Sequence, residues 1–232
     1  MTDLTVILAY YENPGMLNEQ FKTFRALPQA IRDHLQLIVV DDGSPKHPAV
    51  AQKIGMPLQV YRVGVDIRWN QDACRNIGVH HATTEWVLMT DMDHLIPQAT
   101  LDRIVSRKWS GEKVYKFSRV TAPHMTHYKP HPNSWLMTRL MFNRIGGYDE
   151  RLAGWYGTDA DFRRQVETIA QIIMLKEVLI RVPREVIPDA STTTYLRKQE
   201  EDRENLKRLR KQISKIPNAR PMTLTFPYTR IA

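Results

Sequence analysis

Short apolar runs that alternate with amphipathic stretches constrain the fold of this chain more than any other feature of its sequence. Two runs rich in β-branched residues, Leu4–Ala9 and Leu35–Val40, enclose a stretch from Met16 to Leu27 whose apolar positions recur at helical spacing. Strand, helix and strand of these lengths form a βαβ unit, in which the strands are parallel and the crossover is right-handed. The pattern therefore predicts an α/β fold built on a parallel sheet.

The same alternation continues along the chain and extends the predicted sheet. Further strands are predicted at Leu58–Val63, Trp86–Met89 and Lys113–Val120. The predicted helices are Gln71–His81, Thr100–Lys108, one that begins at Asn133 or later and ends at Gly146, Asp159–Ile169, and an amphipathic helix over Tyr195–Ile216. Repeated units of this kind favour a doubly wound, mostly parallel, Rossmann-like sheet flanked by helices, with the amphipathic helix at its C-terminal end.

The composition fits a single globular domain. The chain has 232 residues, of which 42% are apolar, so it can bury most of its apolar surface. Its one cysteine, Cys74, excludes a disulfide scaffold and suits a reducing compartment. No apolar run reaches the roughly 18 residues that span a bilayer, and the first residues lack the features of a signal peptide. The expected location is cytoplasmic.

The net charge of +8 is concentrated near the C-terminus. Residues 195–232 hold ten Lys or Arg and four Asp or Glu, whereas residues 1–194 are close to neutral. A basic segment attracts phosphate groups, so nucleic acid or a membrane surface is a candidate partner. The alternative is a solvated helix face that has no partner.

Two carboxylates one residue apart follow the strand that begins at Trp86. Because side chains alternate along an extended chain, Asp91 and Asp93 point to the same side and can reach one cation. Carboxylate oxygens suit Mg²⁺ or Mn²⁺, and ions of this kind keep coordination positions open for substrate phosphates. The alternative is an ordinary turn in which an Asp caps the next helix.

Two other acidic pairs lie where a strand ends or a helix begins. Asp41 and Asp42 follow the strand Leu35–Val40, where a carboxylate can accept a hydrogen bond from a base or a ribose hydroxyl. The alternative for them is a plain Asp-Gly turn. Asp159 and Asp161 lie at the start of a predicted helix, where they either cap the helix or take a proton from a substrate.

Five motifs occur in the order that is found in the inverting family 2 glycosyltransferases of the GT-A fold, and the chain resembles that family over about residues 5–165. The motifs are Val6–Tyr10, Ile38–Ser44, Ala73–Gly78, Trp86–Asp93, and Gly146–Arg151 together with Gly157–Asp159. The resemblance implies an enzyme that transfers a hexosyl or pentosyl group from a nucleotide-diphosphate sugar, with UDP as the expected nucleotide. It also implies an inverting displacement by an acceptor hydroxyl and a requirement for Mn²⁺ or Mg²⁺.

The resemblance assigns donor and metal contacts to individual residues. The residues expected to bind the nucleotide sugar are Ala9, Tyr10, Tyr11, Glu12, Asp41, Asp42, Arg75, Asn76, Asp91 and Met92. The expected metal ligands are Asp93 and Asp91, with a third ligand left open between Asp189 and a loop histidine such as His127.

For the acceptor, the resemblance implies a base and a binding surface. Asp159 is the expected catalytic base, with Asp161 as the alternative, and Trp155 and Tyr156 are expected to shape the acceptor site. The acceptor itself is left open between a glycan and a hydroxylated nucleic-acid base, among other classes. The catalytic domain is expected over residues 1–194, with the nucleotide-sugar-binding half at 1–95 and the acceptor half at 96–194. A basic helix and tail are expected over 195–232.

Two other functions compete with this interpretation. A sugar-phosphate nucleotidyltransferase would share the sheet and the metal, but Tyr10–Gly15, after the first strand, is poor in the glycine that its phosphate loop needs. A basic nucleic-acid-binding protein without catalytic activity would share the charge. The spacing of His124, His127 and His131 suggests zinc, but without a nearby cysteine they are predicted to be surface residues.

Overall fold

The computed structural model describes residues 1–191, 202–213 and 221–232. The strands are β1 (Leu4–Tyr10), β2 (Leu35–Asp41), β3 (Leu58–Val63), β4 (Trp86–Asp91), β5 (His94–Leu95), β6 (Lys113–Thr121), β7 (Thr126–Tyr128), β8 (Trp135–Thr138), β9 (Gln171–Arg181) and β10 (Tyr228–Arg230). The helices are α1 (Pro14–Arg25), α2 (Gln29–Arg32), α3 (Gln71–His81), α4 (Gln98–Val105), α5 (Arg139–Ile145), α6 (Asp159–Ile169) and α7 (Asp202–Ile213). One sheet contains the strands in the order β10-β3-β2-β1-β4-β8-β6-β9-β5, and β7 pairs with β6.

The first half of the sheet is the parallel βαβ array that the sequence predicts. β3, β2, β1 and β4 run parallel, and Ala9 of β1 lies between Val40 and Asp91 of the neighbouring strands. All seven residues of β2 are buried, as expected for a strand covered on both faces. Helix α3 packs so closely on this layer that a Cβ on Gly78 would lie 2.3 Å from Cγ2 of Ile7. The carboxyl ends of these strands are therefore fixed by packing on both sides.

The second half of the sheet is largely antiparallel. β8 is antiparallel to both β4 and β6, and β9 runs parallel to β6 but antiparallel to β5. The helix predicted at or after Asn133 begins at Arg139, because Trp135–Thr138 pairs as a buried strand. Thr138 then caps α5 by accepting a hydrogen bond from the N–H of Met141.

Five strands, β5, β7, β8, β9 and β10, are absent from the sequence prediction. The eleven residues of β9 show no simple alternation of exposed and buried positions. Its pairing with β6 shifts register between Lys116 and Ser118, and such an irregularity interrupts the period-two pattern by which a strand is recognised. All three residues of β7 are exposed, so this strand leaves no apolar signal.

The C-terminal segments pack against the rest of the domain. Helix α7 lies within the helix predicted at Tyr195–Ile216, and the rest of that prediction lies outside the described residues. Leu206 of α7 is buried, and Arg210 reaches α6. Further on, β10 pairs with β3, and Thr225 donates two hydrogen bonds to Glu150. No helix in the described part of the chain is both long and apolar enough to cross a membrane.

Candidate active site

A cavity of about 320 Å³ opens at the carboxyl ends of the parallel strands. Strands that run in one direction end at one edge of the sheet, so the residues that follow them meet there. Four carboxylates from distant parts of the chain line this cavity, namely Asp42, Asp91, Asp93 and Asp159. The structure thus brings together the four acidic residues that matter most to the functional interpretation of the sequence.

The two adjacent acids after β2 have different surroundings. Asp41 is 1% exposed, and its carboxylate accepts hydrogen bonds from the backbone N–H groups of Ser44 (2.8 Å) and Ala49 (2.9 Å). Burial raises the pKa of Asp41, and its hydrogen bonds oppose that shift. Asp42 lines the cavity and accepts a 3.3 Å hydrogen bond from the N–H of Asn70. Asp41 thus shapes the turn while Asp42 faces the cavity, and the expected nucleotide contact of Asp41 stays a prediction.

At the end of β1, too, some of the expected site residues line the cavity and one does not. Ala9, Tyr10 and Tyr11 line the cavity, and the hydroxyl of Tyr10 donates a hydrogen bond to the carbonyl oxygen of His47. Glu12 does not line the cavity. Its Oε1 accepts a 3.0 Å hydrogen bond from the N–H of His47, and its expected contact with the nucleotide stays a prediction.

Asp91 is held by two basic side chains. The guanidinium group of Arg75 forms an ion pair with Oδ1 of Asp91, and Nε2 of His131 lies 3.2 Å from Oδ2. Burial disfavours the charged carboxylate, but His131 and Arg75 outweigh it and hold the pKa of Asp91 below its usual value. Arg75 is 1% exposed and also lies 3.7 Å from Oδ1 of Asp72. Asp91 is therefore an ionised carboxylate in a fixed position on the cavity wall.

Arg75 and Asn76, both expected to contact the donor, do not line the cavity, and their donor contacts stay a prediction. Arg75 lies behind Asp91 and holds it. Asn76 is fully buried and donates hydrogen bonds to the carbonyl of Tyr148 (3.0 Å) and to Oε1 of Glu150 (2.9 Å). It also accepts a hydrogen bond from the N–H of Tyr148 at 2.9 Å. Asn76 thus ties α3 to the segment before α6.

Asp93 presents a carboxylate oxygen to the cavity. Its Oδ1 lies 2.7 Å from Nδ1 of His94, and within the described residues its Oδ2 forms no hydrogen bond or ion pair. Met92, between the two acids, lines the same wall. The described residues contain no group of three His, Cys, Asp or Glu side chains that could hold a metal ion. Mg²⁺ and Mn²⁺ still fit this site, because such ions can bind through one or two carboxylates and fill their other positions with substrate phosphates and water.

The two candidates for a third metal ligand do not face the cavity carboxylates. The carboxylate of Asp189 accepts hydrogen bonds from two backbone N–H groups at the start of α1, at 2.5 and 2.9 Å, and so caps that helix. His127 is exposed on β7 and does not line the cavity. His131 does line it, with its ring centroid 4.2 Å from that of His94. The prediction that the three loop histidines lie at the surface is therefore wrong for His131, which is buried.

Asp159 and Asp161 differ sharply although they lie two residues apart on α6. Asp159 lines the cavity. The carboxylate of Asp161 accepts hydrogen bonds from Arg210 of α7, one of them at 2.6 Å, and it also pairs with Arg164. Arg210 donates a further hydrogen bond, at 3.0 Å, to the carbonyl of Gly157. Of the two candidates for the catalytic base, only Asp159 faces the cavity.

Aromatic residues form part of the cavity near Asp159. Tyr156 is 37% exposed and lines the cavity, with its ring centroid 4.7 Å from that of Trp69, which also lines it. Trp155 does not line the cavity, and the guanidinium carbon of Arg68 lies 5.6 Å from its ring centroid. Of the two residues expected to shape an acceptor site, Tyr156 thus lines the cavity beside Trp69, and Trp155 does not.

A further wall of the cavity carries residues that the sequence analysis did not assign to the site. They are His94, Arg119, Tyr128, Lys129, Asn133 and Arg181. These residues come from β5, β6, β7, β9 and the β7–β8 connection, which the sheet brings together from distant parts of the sequence. No local motif joins them, so only the strand pairing reveals that they share a site.

The chain is similar to a known protein family and to solved structures. A sequence model described as Glycosyl transferase family 2 matches residues 5–166 of the chain. No curated protein matches the chain.

Solved structures with a similar fold include TarS 1–349 from S. aureus, at 16% identity and a TM-score of 0.61, over 88% of this chain and 68% of that one. The same TarS fragment in complex with UDP-GlcNAc matches with equal identity and TM-score, over 82% of this chain and 61% of that one. The mannosyltransferase PcManGT from Pyrobaculum calidifontis, in complex with GDP-Man and Mn²⁺, is 19% identical, over 78% of this chain and 59% of that one, with a TM-score of 0.57. The chain thus matches between 59% and 68% of the length of these proteins, and at these identities the likeness shows a shared fold.

Proposed function

The chain belongs to glycosyl transferase family 2 and has the GT-A fold of nucleotide-sugar glycosyltransferases, and from this premise we propose its reaction. The enzyme moves a sugar from a UDP-sugar to an acceptor hydroxyl and inverts the configuration of the anomeric carbon. The reaction requires Mn²⁺ or Mg²⁺. Membership of a glycosyltransferase family argues against the two competing functions, a nucleotidyltransferase and a non-catalytic nucleic-acid-binding protein.

The observation that carries the proposal is the convergence of Asp42, Asp91, Asp93 and Asp159 on one cavity. A nucleotide sugar has a base, a ribose, a diphosphate and a sugar, and the reaction needs a group for each part. The similar folds of TarS, which is known in complex with UDP-GlcNAc, and of a mannosyltransferase in complex with GDP-Man and Mn²⁺ support such a donor.

The donor side is assigned to the residues after the parallel strands. Asp42 accepts a hydrogen bond from the base, between walls formed by Ala9 and Tyr11. Asp91, fixed by Arg75, accepts hydrogen bonds from the ribose hydroxyls. Asp93 would hold a divalent ion, whose positive charge would stabilise the departing diphosphate.

The acceptor side is assigned to Asp159 and the aromatic residues beside it. Asp159 takes the proton of the acceptor hydroxyl while that oxygen forms a bond to the anomeric carbon and the bond from this carbon to the diphosphate breaks. A base in hydrogen-bond contact with the hydroxyl contributes on the order of 10²–10⁴ in rate. Tyr156 and Trp69 offer ring faces against which a sugar or a base can pack.

The test is a screen of nucleotide sugars with the full chain. UDP- and GDP-sugars are incubated with Mn²⁺, Mg²⁺ or a chelator, with glycans or hydroxymethylated DNA as acceptors, and release of the nucleoside diphosphate is measured. We expect release from at least one UDP-sugar that depends on the metal. Release from GDP-sugars alone would correct the nucleotide, and equal release in the chelator would contradict the metal requirement.

A further inference from the structure

One wall of the cavity is basic, and the proposed donor contacts do not use it. Arg119 comes from β6, Lys129 follows β7, and Arg181 ends β9, yet all three line the same cavity as the four carboxylates. β9 lies three strands from β4, on the side away from β2 and Asp42. The basic wall therefore lies on the far side of β4 from the residues assigned to the nucleotide base.

The guanidinium group of Arg119 is held by its neighbours, which include the backbone of Lys129. Nε of Arg119 donates a 2.9 Å hydrogen bond to the carbonyl of Lys129, and its guanidinium carbon lies 4.6 Å from the ring centroid of Tyr128. A terminal nitrogen of the same guanidinium lies 3.2 Å from Nε2 of His94, which pairs directly with Arg181 across β5 and β9. Arg119 thus connects the backbone of Lys129 to the strand pair that carries Arg181.

These cations lack carboxylate partners among the described residues. Within residues 1–191, 202–213 and 221–232, no ion pair involves Arg119, Lys129 or Arg181. Burial lowers the pKa of Arg119, Asp93 opposes this shift, and Arg181 adds to it. Positive charges that crowd together in this way gain free energy from an anionic ligand.

The basic surface continues beyond the cavity. A second cavity of about 750 Å³ shares Lys129 and Pro132 with the first and is also lined by Lys116 and Arg163. Its single acidic lining residue, Glu167, is already paired with Arg163 at 2.7 Å. An anionic ligand that extends from the first cavity towards the second would therefore meet further positive charge.

We propose that Arg119, Lys129 and Arg181 bind a phosphate group carried by the acceptor. The guanidinium fork and the ammonium group supply the charge-assisted hydrogen bonds that a phosphate accepts. This inference rests on the proposed function, since it names the chemical class of the acceptor at the same site. It adds a requirement that the donor chemistry does not impose, namely a negatively charged acceptor.

The test measures binding of inorganic phosphate to the full chain that has been saturated with UDP and Mg²⁺, by titration calorimetry. The site variant carries Lys129→Gln and Arg181→Gln. The matched control carries Lys108→Gln and Lys176→Gln, which remove the same charge from exposed positions, one of them on β9 itself. We expect phosphate affinity to fall by about tenfold or more in the site variant and to stay unchanged in the control.

The same titrations decide between the acceptor and the donor as the source of the phosphate. UDP should bind both variants as it binds the wild-type chain. An equal loss of UDP and phosphate binding in the site variant would assign the cations to the donor diphosphate and overturn the proposal. The proposal would also be overturned if phosphate bound the wild-type chain, the site variant and the control alike, or if it bound none of them. Failure of UDP to bind the wild-type chain counts against the proposed function instead. In that case, titration of phosphate into each protein with Mg²⁺ alone still tests whether the three cations bind phosphate.

Discussion

The donor side and the acceptor side of the cavity are built in different ways. Asp42 and Asp91 directly adjoin or end strands that are paired on both sides within the buried parallel sheet. Asp159 instead follows a segment that contains two glycines with positive φ, Gly154 and Gly157. The contact that steadies this segment comes from Arg210, about fifty residues further along the chain. The difference teaches that the sheet fixes the positions of the proposed donor contacts, whereas the position of the proposed base depends on packing by a distant helix.

Exchange of Asp159 for Asn is the strongest test of this division. The amide keeps the size of the side chain but cannot take the proton, so we expect transfer to fall by roughly 10²–10⁴ while UDP affinity is retained. Initial rates and UDP titration measure the two effects. Asp161→Asn is the matched control and should have a much smaller effect, because Asp161 is engaged by Arg210 and does not line the cavity. A larger loss in Asp161→Asn would reverse the assignment.

Replacement of Arg75 by Met tests whether the donor side is rigid because of buried charge pairs. The change leaves Asp91 and Asp72 without their shared cation, and loss of one partner from a buried pair costs about 3–5 kcal/mol of unfolding free energy. Chemical denaturation measures this loss of unfolding free energy. The control Arg103→Met removes an arginine whose side chain is 56% exposed and which pairs with Glu177, so about 1 kcal/mol or less is expected. Equal losses of unfolding free energy in Arg75→Met and Arg103→Met would show that burial of the ion pair contributes nothing to stability.

Lys116, next to the acceptor side, predicts a pH effect on stability. Burial, followed by Arg163, lowers its pKa to about 7, from an ordinary value of 10.5. Between these values the unfolded chain binds more protons than the folded chain, so stability should rise with pH. Relative to Lys116→Met, the wild-type protein should gain about 1 kcal/mol from pH 7.5 to 8.5. Lys113→Met, on the same strand, is the control, and its stability should change with pH as that of the wild-type protein does. The same pH dependence of stability in Lys116→Met and in the wild-type protein would refute the shift in the pKa of Lys116.

The smallest effect is expected from Asp189→Ala. This carboxylate caps α1, and loss of a capping side chain costs about 1 kcal/mol of unfolding free energy. Donor binding should not change, in contrast to what a metal ligand would show. Thermal unfolding and UDP titration with Mn²⁺ measure the two properties, with Glu185→Ala, exposed in the same segment, as the control. Loss of metal-dependent UDP binding would restore Asp189 as a ligand.

The sequence predicts several of the strands and helices that border the cavity, because their determinants are local. The bounds of β3, α3 and α6 agree with the prediction, and the acids that follow β2 and β4 lie where strand ends place them. The direction in which each side chain points depends less on the local sequence. Asp41 and Asp42 are adjacent, chemically identical and both buried. Only the hydrogen bonds from Ser44 and Ala49 distinguish Asp41, which shapes the turn, from Asp42, which lines the cavity.

The basic wall could not be predicted because it depends on strand pairing. Arg119 and Arg181 are separated by more than sixty residues, and they come together only because β9 inserts between β6 and β5. Since the pairing of β9 with β6 shifts register, the local pattern of apolar residues does not reveal this strand. His131 is a similar case, because its spacing from His127 gives no hint that it contacts Asp91.

The central claim is that Asp93 holds the metal through which the donor diphosphate binds, and titration of UDP and GDP into the full chain tests it most directly. With Mn²⁺ present, we predict that at least one of the two binds the wild-type protein and the Asp161→Asn control alike. Affinity should fall by about tenfold or more in Asp93→Asn and in the chelator, since the charge that neutralises the diphosphate is then lost. Binding of equal strength with and without the metal, or in Asp93→Asn, would contradict the account, as would the absence of binding of both nucleotides.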